Sequence, residues 1–411
     1  MTTIKDSVHD HIEIHGVAQK LLDTPPVQRL RRIRQLGTVT LVYPSANHTR
    51  FEHSLGVYHL ADRALSHLNI EGQKAERVRA AALLHDVGHG PYSHNIEELL
   101  YRHTGKYHDE VHDLIGTGSV ATVLSEHGLN PDRIAGLIAG EGELGQLVSG
   151  ELDVDRMDYL VRDAHHTGVP YGTIDHERLV RELRFVDGEL VLDEGNVQTA
   201  ESLLLARALM NPTVYQHHVA RIAKAMLRRG TERALEVEAT DPDSVRRMDD
   251  YGLLALLRNC DATVEIARRL DERDLFKRGV WAEFNAVPAE LLAADHGTIR
   301  EYEREIAAEA NVNPPSVILD VPPEPSMTES TSQVLVNGDV RRLGDQSTLV
   351  SALRAAQRDQ WRLGVYGPPR ESERVGNAAI RTLGLDIDGT LVRDIRTGLN
   401  ATLDEFGATS E

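Results

Sequence analysis

Residues 82–94 read ALLHDVGHGPYSH. The run from Lys74 to Leu84 is rich in alanine and leucine, the composition of a helix. It delivers His85 and Asp86 in succession. Successive helical residues are about 100° apart, so both side chains can reach one cation off the helix C-terminal end. Gly88 and Gly90 then turn the chain, and Pro91 prevents the helix from continuing. The next helix is expected near Ser93, whose hydroxyl is placed to cap it. Such a turn brings His89 and His94 towards the same pocket. A lone His-Asp pair is common by chance; two further stretches make this one specific. Residues 48–61, HTRFEHSLGVYHLA, present His53 from a helix over Phe51 to Leu68, and residues 151–166, ELDVDRMDYLVRDAHH, present Asp155. Two histidines and two aspartates from separate helices suit one divalent ion with positions left for water and an oxygen-rich substrate. That donor set fits metal-assisted phosphoester hydrolysis.

Composition narrows the field. With 411 residues and a formal charge of −19, the chain can bury a large core but opposes sequence-blind binding to a nucleic-acid backbone, so long DNA or RNA is not the expected substrate. A pocket holding arginines and a metal can still attract a small anion. Cys260 is the sole cysteine, residues 1–30 lack the apolar run of a secretion signal, and no stretch approaches the roughly 20 apolar residues of a membrane span. A cytoplasmic protein without membrane contact is expected.

Nineteen of the twenty histidines lie between His9 and His218, which puts the chemistry in the first half. Further helices are expected over Pro26 to Gln35, 93–103, 108–126, 151–164 and 197–229. A short strand or hairpin is expected over Thr38 to Val42, where the residues are β-branched. Residues 181–195, RELRFVDGELVLDEG, alternate around Asp187-Gly188 and predict a hairpin. The charged helical pattern of 240–310 reads as an appended layer, and the proline-rich run at 313–326 marks a boundary. Strands over Ser332 to Val336 and Trp361 to Tyr366 flank a helix at 348–359. The expected divisions are a catalytic core over 1–235, a helical extension over 236–312 and a small α+β lobe over 313–411.

Together with residues 23–37, DTPPVQRLRRIRQLG, and 214–222, VYQHHVARI, these motifs make the chain resemble the HD-domain phosphohydrolases. Within them it is similar to the deoxynucleoside triphosphate (dNTP) triphosphohydrolases, including the vertebrate branch that joins a SAM domain to the HD core. The likeness spans roughly residues 4–229. It implies a mainly α fold: an HD-domain helical core with small β-hairpins and a C-terminal α+β lobe. The metal ligands it implies are His53, His85, Asp86 and Asp155, around one divalent ion (Mn, Mg, Fe, Co, Ni or Zn). His94 matches the leaving-group histidine and Glu97 its orienting carboxylate. A carboxylate three residues on can hold that imidazole in one tautomer and make it more basic. His89 and His108 with Asp109 match positions lining the phosphates, Asp109 replacing the family's glutamate. Arg50, Arg156 and Arg207 match phosphate contacts, Arg156 standing where a lysine is usual. Tyr159 and Asp163 match contacts to the sugar 3′-hydroxyl; Gln35, Leu36 and Tyr215 match positions packing on the sugar. Asp23, Gln28 and Arg31 match residues that bind a guanine nucleotide activator, though the lysine of that site corresponds to about Thr2.

The implied reaction is attack of metal-activated water on the α-phosphorus, giving deoxynucleoside and triphosphate, by a homodimer or homotetramer. Rival readings are a phosphohydrolase of nucleoside monophosphates or other nucleotides, and a nucleotide-binding sensor. His165 and His166 are expected to support or pack rather than ligate, and His9, His11 and His15 to serve the N-terminal fold without chemistry. The run of Arg29, Arg31, Arg32 and Arg34 is basic enough for nucleic acid, but the total charge opposes a broad groove. Near the end, residues 383–392, LGLDIDGTLV, resemble the DxDGT motif of haloacid-dehalogenase-like enzymes through Asp386 and Asp388. Only 21 residues follow Thr390, too few for that fold's remaining motifs, so a surface strand and turn is expected there.

Overall fold

A computed structural model describes residues 2–324 and 331–387. The described residues form two compact units, one of 2–273 with 331–353 and one of 274–324 with 354–387.

The first unit is mostly helical. The helix Arg50–His67 starts at a capping box in which the Thr49 and Glu52 side chains reach each other's backbone amides, worth roughly 1 kcal/mol. It packs against Gly72–Leu84 and Val154–Thr167. Leu55, Val57, Leu60, Leu83, Leu84, Met157 and Leu160 are buried where these three meet the rest of the core. The three helices carry the sequence motifs, so burial of their apolar faces aims His53, His85, Asp86 and Asp155 from one core.

Several elements differ from expectation, each for a local reason. The segment Gly37–Leu41 is a 3-10 turn rather than a strand. Its amides bond to nearby carbonyls, Val39 N to Leu36 O at 3.1 Å and Val42 N to Val39 O at 2.8 Å, as a turn without a strand partner must. Pro25–Arg29 is a short helix that tightens into a 3-10 turn over Leu30–Arg32. The stretch expected as one helix over 108–126 breaks into His112–Ile115 and Gly118–Glu126, with Gly118 at φ +65°. Pro212, lacking an amide hydrogen, splits 197–229 into Val197–Met210, a π-helical turn Asn211–Tyr215 and His218–Glu236.

The hairpin around Asp187-Gly188 is present as Leu183–Val186 and Glu189–Leu192, both turn residues having positive φ (52° and 84°). It belongs to a larger sheet. Val191 and Leu192 pair in parallel with Gln333 and Val334, and Gln333–Val336 turns through Asn337-Gly338 into Asp339–Arg342. A hairpin at the N-terminus, Thr2–Asp6 with Asp10–Ile14, completes the strands of this unit among the described residues.

The second unit is a three-stranded antiparallel sheet, ordered Lys277–Glu283, Arg362–Gly367, Ile318–Asp320. Helices His296–Ala310 and Ser372–Leu383 pack with it, burying Val280, Leu319, Leu363, Val365, Ile306 and Val375. Contacts group the described residues 2–273 with 331–353, and 274–324 with 354–387. The strands expected together in one C-terminal lobe lie in different sheets. Parallel pairing of Leu192 with Val334 joins segments over a hundred residues apart, which local pattern cannot encode. In the DxDGT stretch, Asp386 N bonds to Ala286 O at 3.0 Å, and Asp388 onward lies outside the described residues. No described helix is long and apolar enough to cross a membrane.

Candidate active site

His53, His85, Asp86 and Asp155 converge. His53 Nε2 lies 3.3 Å from His85 Nε2 and 2.9 Å from Asp155 Oδ1. Further separations are 3.8 Å from His53 Nε2 to Asp86 Oδ2, 3.4 Å from His85 Nε2 to Asp86 Oδ1 and 3.9 Å from His85 Nε2 to Asp155 Oδ1. Ligand atoms bound at ~2.1 Å around one ion stand roughly 3–4 Å apart, and these separations match.

The hydrogen bonds behind the ligands fix which ring nitrogens face inward. His53 Nδ1 donates to Asp158 Oδ2 at 2.7 Å, and His85 Nδ1 donates to Ala82 O at 2.8 Å. In its neutral form each ring therefore turns its Nε2 lone pair inward, the form that ligates a cation. Burial pushes the His53 pKa down, yet the hydrogen bonds to Asp155 and Asp158 raise it to about 10. Burial pushes Asp155 up, and His53 brings it down to about 2. Asp86 is also buried, but Arg50 and His85 hold it well below the ordinary carboxylate range. Positive charge, whether a proton on His53 or a cation, is therefore favoured where these four groups meet, and the residues fit a divalent ion.

The loop after Asp86 is strained and gripped. Tyr92 and Ser93 are consecutive non-glycine residues in the left-handed region, φ 57° and 56°, a conformation that costs of order 1–3 kcal/mol per residue. Asp250 Oδ1 accepts the Tyr92 amide at 2.6 Å, and Arg29 donates to Val87 O and His89 O at 2.8 and 2.7 Å. Ser93 does not cap the next helix. Its hydroxyl donates to Arg34 O at 2.6 Å and accepts from Arg50 Nε at 2.9 Å.

That loop aims a second group of side chains. His94 Nδ1 donates to Glu97 Oε2 at 2.6 Å, while His108 Nδ1 donates to Glu97 Oε1. The His89 ring stacks on His108, centroids 4.0 Å apart, and its Nε2 is 3.2 Å from Asp86 Oδ1. That approach is not angled as a hydrogen bond, so both buried nitrogens of His89 lack a partner. Burial would raise the Glu97 pKa, but the two imidazoles hold it far below its ordinary value. Glu97 overcomes burial and raises His108, while the His94 ring is more than half exposed. Asp109 stands outside this group of four.

On the far side of Asp155, Tyr215 donates to Asp163 Oδ2 at 2.9 Å, and His48 Nε2 donates to Asp163 Oδ1 at 2.8 Å. The Tyr159 and Tyr215 rings meet edge to face at 6.3 Å. Burial raises both phenols, and the Arg207 charge opposes this for both. Gln35 is buried with Oε1 lacking a partner, and Leu36 packs against the core. The arginines are more committed than expected: Arg50 Nη1 bonds both oxygens of Asp86, at 2.9 and 3.0 Å, and Arg156 bonds Asp153 and Gly150 O. Asp23 is exposed. Arg31 bonds Gln28 at 2.9 Å and lies 3.5 Å over the Phe51 ring.

The HD domain family matches residues 50–163, and the HD associated region matches residues 174–394. The chain belongs to the HD-domain phosphohydrolase superfamily. It is 33% identical over 377 residues to an uncharacterized protein of Methanocaldococcus jannaschii, covering 90% of this chain and 79% of that one. It is 30% identical over 342 residues to the human deoxynucleoside triphosphate triphosphohydrolase SAMHD1, covering 67% of this chain and 54% of the human one. The chain spans about half the length of most curated relatives it matches. A solved Aquifex aeolicus protein superposes with a TM-score of 0.76 at 28% identity, covering 92% of this chain and 99% of that one. A Bacteroides thetaiotaomicron phosphohydrolase does so with 0.71 at 26%, covering 90% and 100%.

Within the HD domain, the sequence reading missed Asp158 and Arg162. Asp158 is fully buried between the metal helix and Arg162, which bonds it through Nε and Nη2 at 2.9 and 3.0 Å. The available signal was their spacing: Asp155, Asp158 and Arg162 lie three and four apart, on one helical face.

Proposed function

We propose that this protein hydrolyses dNTPs to deoxynucleoside and triphosphate. The observation that supports this most is the juxtaposition of the His53–His85–Asp86 group, with Asp155 beside it, and the His94–Glu97–His108 group, bridged by His89. When bound, a divalent ion would supply Lewis-acid polarisation of a phosphate oxygen and a lower pKa for water. His53, His85, Asp86 and Asp155 hold that ion. Arg50 fixes Asp86 by two hydrogen bonds, so the ligand keeps one orientation. Glu97 accepts the Nδ1–H of His94 and stabilises its imidazolium form, whose Nε2–H would pass to the departing sugar oxygen. His108, with its pKa raised, brings positive charge towards the phosphates beside Arg156 and Arg207. Tyr159, Asp163 and Tyr215 orient the sugar, with Gln35 and Leu36 against it.

The likeness to a named dNTP triphosphohydrolase favours this substrate over other nucleotides. Asp23, Gln28 and Arg31 are proposed to take a nucleotide activator, so that activity rises sigmoidally with GTP or dGTP. Assembly as a homodimer or homotetramer in the cytoplasm completes the reading, and light scattering checks the assembly. The deciding experiment incubates purified protein with each dNTP and Mn, Mg, Co, Fe or Ni, and separates products by ion exchange. Deoxynucleoside with triphosphate is expected. Release of single phosphate or pyrophosphate would move the activity to the rival phosphohydrolase, and intact dNTPs with every metal would refute it.

A further inference from the structure

His9, expected to carry no chemistry, points its imidazole into the back of the metal centre. Its Nε2 is 2.6 Å from Asp158 Oδ1, and its side chain is 1% exposed. Asp158 has four hydrogen bonds in all. Oδ2 accepts from His53 Nδ1 at 2.7 Å and Arg162 Nε at 2.9 Å; Oδ1 accepts from His9 Nε2 and from Arg162 Nη2 at 3.0 Å. Arg162 in turn grips Asp6 through Nη1 and Nη2 at 2.9 and 3.2 Å. Asp6 Oδ1 accepts the amides of Val8 and His9, both at 2.9 Å. The same carboxylate therefore shapes the hairpin turn that carries His9 and ties that turn to Arg162.

We propose that the turn of the N-terminal hairpin is a positioning element for the metal centre, with His9 completing the hold on Asp158 that aims His53 Nε2 at the cation. The reasoning is stereochemical. A carboxylate that accepts from Nδ1–H of a ligating histidine fixes its tautomer and ring orientation and makes it a better donor. It can do so only if it cannot rotate or drift. Arg162 bonds both oxygens from one side along its own helix. His9 adds a donor to Oδ1 from a different element, and so restrains the rotation that would draw Oδ2 from His53. The hairpin itself needs no such bond: its five-residue ladder and the Asp6–Arg162 pair hold it in place. His9 touches neither cation nor substrate. Its role passes through Asp158.

The inference rests on the cation centre but not on the identity of the substrate, so metal binding tests it without an activity assay. The full chain is stripped with chelator and titrated with Mn, following free metal by equilibrium dialysis. His9→Ala should weaken Mn binding roughly 10-fold or more, as expected for loss of a group supporting a metal ligand. The melting temperature of the metal-free protein should change far less. His9→Gln, whose amide can donate to Asp158 Oδ1, should recover most of the affinity. Because coupling between two sites is reciprocal, Mn should also slow hydrogen exchange of the 2–14 amides in the unsubstituted protein, a readout that survives if His9→Ala fails to fold. Unchanged Mn affinity in a folded His9→Ala protein would overturn the proposal, as would hairpin exchange indifferent to Mn. A chain that takes up no Mn at all would remove both the centre and its support, whereas normal Mn binding without dNTP hydrolysis would leave this inference standing and sink only the substrate assignment.

Discussion

Gly56 lies three residues after His53 on the metal helix, and replacing it with alanine sets two effects against each other. In an ordinary helix interior, Gly→Ala stabilises by about 1 kcal/mol, because alanine loses less backbone entropy. Here a Cβ would stand 1.8 Å from Asp158 Oδ1 and 2.6 Å from Arg162 Nη2. Both are buried charged groups with all their bonds made, so neither can swing aside like the end of a surface side chain. Relief requires a shift of about 1 Å, which breaks at least one hydrogen bond at a distance where normal geometry spans only a few tenths of an ångström. Overpacking of this kind costs about 1–3 kcal/mol, and disturbing a buried ion pair about 3–5 kcal/mol. The clash therefore wins, with a net loss of roughly 2 kcal/mol or more and a melting temperature lower by roughly 4–8 °C. Since Asp158 orients His53, metal affinity should fall about 10- to 100-fold as well. Differential scanning calorimetry of the metal-free protein and Mn titration measure the two effects. A Gly56→Ala protein that melts higher than the parent and binds Mn normally would refute the keyed packing of Gly56 against Asp158 and Arg162.

Replacing His94 by alanine should lower kcat by roughly 10²–10⁴-fold, the usual worth of a general acid, with Mn content unchanged; equal loss of metal would make His94 part of the cation centre instead. Tyr215→Phe removes one of the two hydrogen bonds to Asp163 and should raise KM for dNTPs by roughly 10-fold with little change in fold, read from steady-state kinetics. A pH effect follows from His59, half-buried near His9, whose pKa burial lowers to about 4 from 6.5. The unfolded chain binds that proton first as pH falls, so the stability is fully present above pH 6.5 and declines between 6.5 and 4. With partial exposure screening it, the loss is of order 1–2 kcal/mol; His59→Gln should flatten melting temperature against pH in that window, and an unchanged slope would acquit His59.

Much of the candidate site was legible because its motifs are compact. His85 and Asp86 are adjacent, His94 and Glu97 are three apart, and each stretch sits on or beside a periodic apolar helix. The resemblance puts His108 and Asp109 together along the phosphates; the carboxylate bonded to His108 is Glu97, eleven residues away, because the chain doubles back after Thr104. Arg50, matched to a phosphate contact, also bonds both oxygens of Asp86, since a buried guanidinium needs acceptors within the protein. His9 showed nothing in its neighbourhood that could betray its contact with Asp158, 149 residues on.

Sequence alone determined the helices bearing the donors, the turn at Asp187-Gly188 and the chemistry of the donor set, because apolar periodicity, positive-φ turn residues and ligand type are local properties. Tertiary structure alone decided that His53 and His85 face each other through Nε2, that Asp6, His9 and Arg162 lock the carboxylate behind them, and that Gln333–Val336 joins the sheet of Glu189–Leu192 rather than that of Arg362–Gly367. Those outcomes depend on which buried faces fit together across large separations in the chain, and that fit is set by the whole core at once.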